Sequence, residues 1–350
     1  MNAGAIPRDA NVIAVVAPSW VGDLVMATPV FRAIHEHRGS ATRLAVVRPG
    51  QDELLDGCPW FNDVLVARAK GLTGPWRTGR AMRRHDVDVV LLLPNSPRAA
   101  LGARCSGASH RIGYARNGRG VLLTHAIDSP KRVAPHPTLD DYADLACAAL
   151  GVDDIDRHVE LFVSEAQHDA ALAMLDDLSG RRIVLLNPGA NRADKRWPAA
   201  NFAAVADALR DSSTVVAITG APSERDVIDA VITSSAGEII DLTSRGMTLG
   251  TLKAIMPHVH LLITNDTGPR HLAAAFSTPM IALFGPTDHR WTVLPGVEEH
   301  RLLAEPFLPE TLVADHHPRS CAIARIPVRD VVWAARRCLA GRPSPSAVAP

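Results

Sequence analysis

Cysteine is scarce in this chain: five residues (Cys58, Cys105, Cys147, Cys321, Cys338), an odd number with no pair at C-x-x-C spacing. That count suggests neither a disulfide framework nor a zinc knuckle, and a reducing compartment fits. Lysine is scarcer still, with 4 residues against 33 arginines. Together with abundant alanine this looks like codon bias, and it draws attention to any lysine that falls inside a motif. Net charge is also missing. The 37 basic and 37 acidic residues cancel, and a pI near 7.3 argues against a general nucleic-acid binder, which needs a positive footprint. No apolar run approaches the roughly 18 to 20 residues of a bilayer-spanning helix. Met1 to Asp9 lacks the basic and apolar stretches of an export signal, so a cytoplasmic, unexported protein is expected. Neither G-x-G-x-x-G nor G-x-x-x-x-G-K-[ST] occurs, which argues against dinucleotide enzymes and P-loop NTPases.

What is present is apolar material in a regular order. With 350 residues, 47% hydrophobic and 21% charged, the chain can bury a sizeable core and exceeds one average domain. Short strand-length apolar runs alternate with amphipathic helix-length stretches, the pattern of parallel sheets covered on both faces. In the first half, strands are expected at Val12 to Ala17, Leu44 to Val47, Val64 to Val66 and Val87 to Leu93. Helices are expected near Leu24 to His37, Arg77 to Arg84, Ser96 to Cys105 and Leu139 to Leu150. The second half repeats the scheme, with strands at Ile183 to Leu186, Val215 to Thr219, Glu238 to Ile240, Leu261 to Thr264 and Met280 to Phe284. Its helices are expected near Phe202 to Arg210, Glu224 to Ser234, Leu249 to Met256 and Pro269 to Phe276, with a last one at Val328 to Leu339. Between the halves lies a polar stretch with Asp153, Asp154 and Asp156, read as linker. Ser164 with Gln167 then gives a capping-box start. The expected architecture is α/β, two doubly wound parallel sheets, in domains 1–160 and 161–340 with a tail at 341–350.

In open parallel sheets ligands sit at the carboxyl ends of strands, so the strand-to-helix loops hold the candidate chemistry. The first is Pro18-Ser19-Trp20-Val21-Gly22-Asp23, where Gly22 permits a tight turn and Asp23 opens a helix with its carboxylate at the mouth of the sheet. An ordinary first-turn aspartate has the same appearance. The second runs from Asn187 to Pro198; its small residues let backbone N–H groups approach an anion, and Lys195 and Arg196 add positive charge. A solvated loop that anchors a helix through Trp197-Pro198 is the plain alternative. The third is Thr264-Asn265-Asp266-Thr267-Gly268-Pro269-Arg270-His271, where Thr267 can cap, Pro269 suits a first turn, and the helix N-terminus can receive a diphosphate.

These loops carry PSWVGD at Pro18 to Asp23, LPNS at Leu93 to Ser96, HRIGY at His110 to Tyr114 and PGA at Pro188 to Ala190. They continue with KRWP at Lys195 to Pro198, NDTGPRH at Asn265 to His271 and FGPTD at Phe284 to Asp288. In this order and spacing the chain resembles the ADP-heptose:lipopolysaccharide heptosyltransferases, inverting glycosyltransferases of the GT-B fold, and PSWVGD and LPNS are most like heptosyltransferase II. Two departures stand out: Arg270, where such proteins usually carry methionine or leucine, and the segment Glu305 to Ser320, which matches nothing in the pattern.

The resemblance implies an N-terminal acceptor domain, a C-terminal nucleotide-sugar domain and a cleft between them. It implies ADP-heptose as donor, a lipopolysaccharide core as acceptor, and no metal or other cofactor. Asp23 becomes the general base and Lys195 the group that stabilises the leaving diphosphate. Asn191, Glu224, Met247, Asp266, Thr267, Gly268 and His271 become donor contacts, and Ser19, Trp20, Asn95, Arg98, Arg111 and Arg116 acceptor contacts. Met247 could equally be a core residue and Glu224 a helix-start carboxylate. The charge distribution agrees on its own terms. Residues 1–150 have a balance of +5 and the remainder −5, while 68–132 contain 13 basic residues against Asp86, Asp88 and Asp128. Such a stretch suits an anionic acceptor at an anionic membrane surface; arginine-rich solvated helices are the alternative. Three other functions share the pattern: a family member with another sugar or acceptor, a nucleotide-sugar epimerase, and a non-catalytic two-domain sugar-binding protein.

Overall fold

The computed structural model describes residues 4–67, 71–129, 135–304 and 312–340. The expected tail at 341–350, the first part of the 305–320 segment, Lys70 and Lys131 lie outside the described residues. The chain divides at Phe162/Val163 into two units, Val293–Pro295 being grouped with the first.

In the first unit six strands form one wholly parallel sheet in the order β3-β2-β1-β4-β5-β6. They are β1 (Val12–Val16), β2 (Thr42–Val47), β3 (Asp63–Val66), β4 (Val89–Leu92), β5 (His110–Tyr114) and β6 (His125–Ile127). The connecting helices are α1 (Val21–Met26), α2 (Thr28–His37), α3 (Asp52–Leu55), α4 (Gly74–Arg83) and α5 (Pro97–Ser106), and α6 (Thr138–Leu150) follows the last strand. The continuous apolar runs of β1 and β4 reflect their central place, covered on both faces. On one face Ala14, Leu44, Val90 and Leu92 pack with Met82, Ala100 and Ala103.

The second unit repeats that order as β12-β11-β10-β7-β8-β9, again all parallel. Its strands are β7 (Arg182–Asn187), β8 (Thr214–Ile218), β9 (Ile240–Asp241), β10 (Leu261–Asn265), β11 (Met280–Phe284) and β12 (Glu299–Leu303). Its helices are α7 (Glu165–Leu175), α8 (Ala199–Leu209), α9 (Arg225–Ser234), α10 (Leu249–Ile255), α11 (Gly268–Ala275) and α12 (Val328–Ala340). Val184, Leu186, Ile218 and Ile263 meet Phe202 and Val205 of α8 and Val331 and Ala335 of α12 in its core. The capping box that starts α7 is formed by Ser164 and Gln167.

The sequence reading needs two corrections. The single helix expected at Leu24 to His37 is two, because Pro29 has no N–H to give the Val25 carbonyl; the Thr28 hydroxyl donates to that oxygen instead, at 2.8 Å. Strands β5, β6 and β12 were not expected. Two are sheet edges, and all three mix polar residues with apolar ones, so they lack the apolar run that marks a central strand.

Candidate active site

The doubly wound order places a crevice at the carboxyl ends of the two strands where the connections diverge, β7 and β10 in the second unit. Two buried asparagines brace these strand ends. Asn187 donates from Nδ2 to the hydroxyls of Thr264 (3.1 Å) and Thr267 (2.9 Å). Asn265 donates from Nδ2 to the carbonyls of Pro188 (2.8 Å) and Gly189 (3.2 Å), and its Oδ1 accepts from the Trp197 N–H at 3.2 Å. The Pro188-Gly189-Ala190 turn is thus fixed at its start by Asn265. It is held farther on by Arg196, which donates twice to the Ala190 carbonyl (2.9 and 2.8 Å). Arg196 therefore braces the loop. Trp197 is buried, packs against Phe202 and donates from Nε1 to the Ile326 carbonyl at 3.1 Å. Sequence reasoning missed the Asn187–Asn265 brace; the available signal was an asparagine ending each of two apolar runs just before a turn.

Other candidates border the same edge. Glu224 accepts from the Ala221 N–H at 2.8 Å, and a Cβ placed on Gly189 would lie 2.1 Å from its carboxylate, so the glycine permits this close approach. Thr219, just past β8, donates to the Met247 sulfur at 2.9 Å. Asn191 is exposed and Lys195 half-buried; the Lys195 ammonium has no hydrogen-bond or ion-pair partner among the described residues, while Arg192 is paired with Asp194. Thr267 stands at the N-cap position of α11, yet its hydroxyl does not cap the helix. That expectation is corrected: the hydroxyl accepts from Asn187 and donates to the Asn265 carbonyl at 3.3 Å, leaving the opening N–H groups of α11 without a side-chain cap.

Behind this edge lies a buried charged network. Arg270 is fully buried, bonded to Glu299 through Nε (2.5 Å) and Nη2 (3.0 Å), to the Thr292 carbonyl (2.8 Å) and to Asp266 (3.3 Å), with its guanidinium 5.0 Å over the Phe284 ring. Burial alone would raise the Glu299 pKa; the hydrogen bond and charge of Arg270, joined by Arg301, outweigh it and hold the carboxyl below its ordinary value. His271 is buried beside it with no partner for Nδ1, and burial, then the Arg270 charge, push its pKa well below 6.5. The ring is neutral at pH 7.

In the first unit Asp23 lies in the first turn of α1 with no hydrogen-bond or ion-pair partner among the described residues. Burial pushes its pKa up to about 6. Trp20, at the N-cap position, is 62% exposed, and Ser19 is half-buried. Gln51 steadies the loop, donating to the Pro18 carbonyl at 2.9 Å. The turns after β4 and β5 are joined by Arg119, buried and bonded to the carbonyls of Pro94 and Tyr114 and to Asn95 Oδ1 (3.0 Å). Gly113 makes room for it, since a Cβ there would meet Arg119 Nη2 at 3.0 Å. Burial, then the nearby Arg116 charge, lower the Arg119 pKa to about 10.

The arginine-rich stretch is therefore less open than its composition suggests. Arg111 is withdrawn as an acceptor contact: it is the second residue of β5, at the amino end of the sheet, and its guanidinium donates to the Leu122 (2.9 Å) and Ala108 (2.6 Å) carbonyls. Arg116, after β5, pairs with Asp141 at 3.2 Å and stacks 5.3 Å over Tyr114. Arg98 is exposed and donates to the Gly71 carbonyl. The Asp153-Asp154-Asp156 run is engaged in ion pairs, Asp154 with Arg157 and Asp156 with Arg32 (3.0 Å). Among the described residues one group, His136, Asp141 and Asp144, brings possible metal-ligand atoms within 4.8 Å of one another. Arg116 already engages one of the Asp141 oxygens.

The profile of Glycosyltransferase family 9 (heptosyltransferase) matches residues 75–304 of the 350. The chain belongs to glycosyltransferase family 9. Similar chains include lipopolysaccharide heptosyltransferase 3 of Escherichia coli, 32% identical over 282 residues that cover 77% of this chain and 82% of that one. Lipopolysaccharide heptosyltransferase 2 of E. coli K12 is 26% identical over 302 residues, covering 80% and 84%. The solved structure of E. coli ADP-heptose lps heptosyltransferase II superposes with a TM-score of 0.80 at 22% identity, covering 94% of this chain and 98% of the other. The family-9 member described here is a glycosyltransferase with the paired Rossmann-like sheets of the GT-B class, as the sequence resemblance implied. Among the described residues no helix is long and apolar enough to cross a membrane.

The brace makes a first prediction. Asn265→Ala removes one side chain that satisfies two buried carbonyls and the Trp197 N–H, so the second unit should lose about 2 kcal/mol or more. Urea unfolding reports the loss directly; an unchanged midpoint would mean that water replaces the amide.

Proposed function

We propose that this glycosyltransferase moves heptose from ADP-heptose to a lipopolysaccharide inner-core acceptor, with inversion at the anomeric carbon. The observation that carries the reading is the Asp23 carboxylate, without a hydrogen-bond or ion-pair partner among the described residues and with its pKa raised to about 6, at the carboxyl edge of the first sheet in a chain of this family. A general base works best with a pKa near the operating pH and with nothing competing for its lone pairs. In one displacement the acceptor oxygen bonds to the anomeric carbon, the bond from that carbon to the diphosphate oxygen breaks, and the acceptor proton passes to Asp23. Negative charge grows on the departing ADP.

The second unit is the donor domain in this reading. Lys195, Asn191 and the N–H groups opening α11 at Gly268 are assigned the stabilisation of that growing charge. Glu224 suits ribose hydroxyls, Met247 an adenine face, and Asp266, Thr267 and His271 the sugar and phosphates. The first unit is the acceptor domain, with Ser19, Trp20, Asn95, Arg98 and Arg116 as its contacts. The direct test supplies ADP-heptose with a heptose-deficient core acceptor and determines the product anomer by NMR. Calorimetry with ADP, UDP, GDP and CMP tests the nucleotide separately; preference for another base would overturn the donor assignment.

Lys195→Ala should weaken ADP binding and lower kcat/KM together, each by roughly tenfold or more, because a charge-assisted bond to diphosphate serves the ground state and the transition state. Lys195→Arg should restore only part of this, the guanidinium being larger and differently shaped. Calorimetry checks the first statement; ADP affinity equal to wild type would move the phosphate site elsewhere.

A further inference from the structure

The segment Glu305 to Ser320 has no counterpart in the motifs that carry the family resemblance, yet its described part, from residue 312 onward, is seated on the loops at the carboxyl edge of the second sheet. Its anchor is the turn after β11, Gly285-Pro286-Thr287-Asp288. In the ladder between β10 and β11, Asn265 stands opposite Leu283, so this turn leaves the sheet beside Asp266 and Thr267. Asp288 is buried, and its carboxylate accepts from Arg290 Nε (2.8 Å) and Nη2 (2.6 Å) and from the N–H groups of Arg290 (3.1 Å) and Ala314 (3.3 Å). Burial alone would raise the Asp288 pKa; these bonds and the Arg290 charge outweigh it and hold the carboxyl below its ordinary value. The exchange is reciprocal, because the Asp288 N–H donates to Asp315 Oδ2 at 3.0 Å. Arg290 closes the ring with a bond to the Leu312 carbonyl at 2.7 Å.

The same stretch reaches three further points. A Cβ on Gly285 would lie 2.5 Å from that of Ile323, so the glycine lets the chain lie directly on the turn. The Ile326 carbonyl accepts from Trp197 Nε1 at 3.1 Å, and Trp197 follows Lys195 by two positions. Asp315 also acts on the rim of the loop after β7: the Arg192 pKa is raised first by its hydrogen bond to Asp194, then by the charges of Asp194 and Asp315. Residues 312–326 thus grip the turn after β11 and the loop after β7 together.

We propose that residues 312–326 buttress the donor crevice and that Asp315 is a positioning residue, holding the Gly285–Asp288 turn and the loop of Lys195 in the arrangement that receives the nucleotide sugar. Asp315 touches no reacting atom in this assignment; it acts through the Asp288 N–H and the charge of Arg192. A turn that carries a buried carboxylate stays in place only while its donors are fixed, and Ala314 and Arg290 are fixed by this segment. Loops set in advance spare a ligand the cost of ordering them. The proposal rests on the reading of the second unit as the donor domain.

The test is steady-state kinetics of the full chain, with ADP-heptose and the core acceptor varied in turn, for wild type, Asp315→Ala and Asp315→Asn. Asp315→Ala is expected to raise the donor KM about tenfold, the scale of one lost hydrogen bond to a charged group, while the acceptor KM and kcat stay within about threefold. Asp315→Asn should recover most of the loss, since its amide oxygen still accepts the Asp288 N–H. Hydrogen exchange read by mass spectrometry follows the brace without any substrate. Peptides covering 285–290 should exchange faster in the alanine variant and at near wild-type rates in the asparagine one. An unchanged donor KM in Asp315→Ala, donor and acceptor KM rising alike, an asparagine variant no better than alanine, or unaltered exchange at 285–290 would each overturn the proposal. Calorimetry of the wild type with ADP judges the donor reading by itself. Absence of ADP binding would sink that reading, whereas ADP binding together with an unchanged donor KM in Asp315→Ala would sink this proposal alone.

Discussion

Asp23→Asn is expected to lower turnover by roughly a hundredfold or more and, at the same time, to make the protein more stable at neutral pH. The two effects have one cause. Burial raises the Asp23 pKa from 3.8 to about 6, so the folded protein holds this proton more tightly than the unfolded chain does. For a carboxyl shifted upward, the penalty on folding is absent below the unfolded pKa and fully present above the folded one. Between about pH 4 and pH 6 the native state loses up to about 3 kcal/mol, a ceiling because Asp23 is only partly buried. The asparagine variant carries no such penalty. Melting curves of wild type and variant should therefore diverge at pH 7.5 and converge near pH 4, while wild-type kcat falls about tenfold per unit below pH 6 as the base is protonated. A variant that turns over within a few-fold of wild type would reduce Asp23 to a first-turn carboxylate, whatever its melting curve shows.

Arg270→Met should destabilise the second unit by about 3 to 5 kcal/mol, the cost of stripping one partner from a buried ion pair. Glu299 would be left buried with Arg301 (2.7 Å) alone, and the Thr292 carbonyl would lose its donor. The sign with pH is opposite to that of Asp23. The Glu299 pKa is depressed in the folded state, so its contribution is present above the unfolded pKa and is lost as pH falls through the folded one. The gap between wild type and variant should narrow in acid. Removing both partners, as Arg270→Met/Glu299→Leu, should recover most of the loss, since an apolar pair of similar volume needs no ion-pair compensation. Chemical denaturation at neutral pH decides the matter: a single variant within 1 kcal/mol of wild type would mean that the network contributes little. Arg270, which departs from the family pattern in the sequence, is thus accounted for by Glu299, a partner 29 positions away that no local motif reveals.

Those two residues illustrate what could be learned before the fold was known. The central strands β1, β4, β7 and β10 were legible because a strand buried on both faces must be a run of apolar residues, and the loops after them followed from position. The edge strands β6 and β12 were not, because one side of each has no strand partner among the described residues and tolerates His125, His300 and Arg301. Charge counting had a similar limit. It registered Arg83, Arg111 and Arg119 as equivalent to Arg77 and Arg84, although the first three donate to backbone carbonyls and the last two are exposed. Guanidinium groups serve carbonyls as readily as phosphates, and only the tertiary path of the chain separates the two uses.

The asparagine brace beneath the Pro188–Ala190 turn has an implication for how such a site can change over generations. Asn187 and Asn265 satisfy each other's strand ends through protein groups alone, so the floor of the crevice is set at folding and would demand little further ordering for the nucleotide proposed to bind there. The exposed rim from Asn191 to Asp194 takes no part in that brace. Under the proposed donor assignment, substitutions on the rim can alter how the donor is held at little cost to the fold, whereas substitutions in the floor threaten both at once. Changes in specificity are then expected at a few surface positions, above a base whose hydrogen bonds tolerate little alteration.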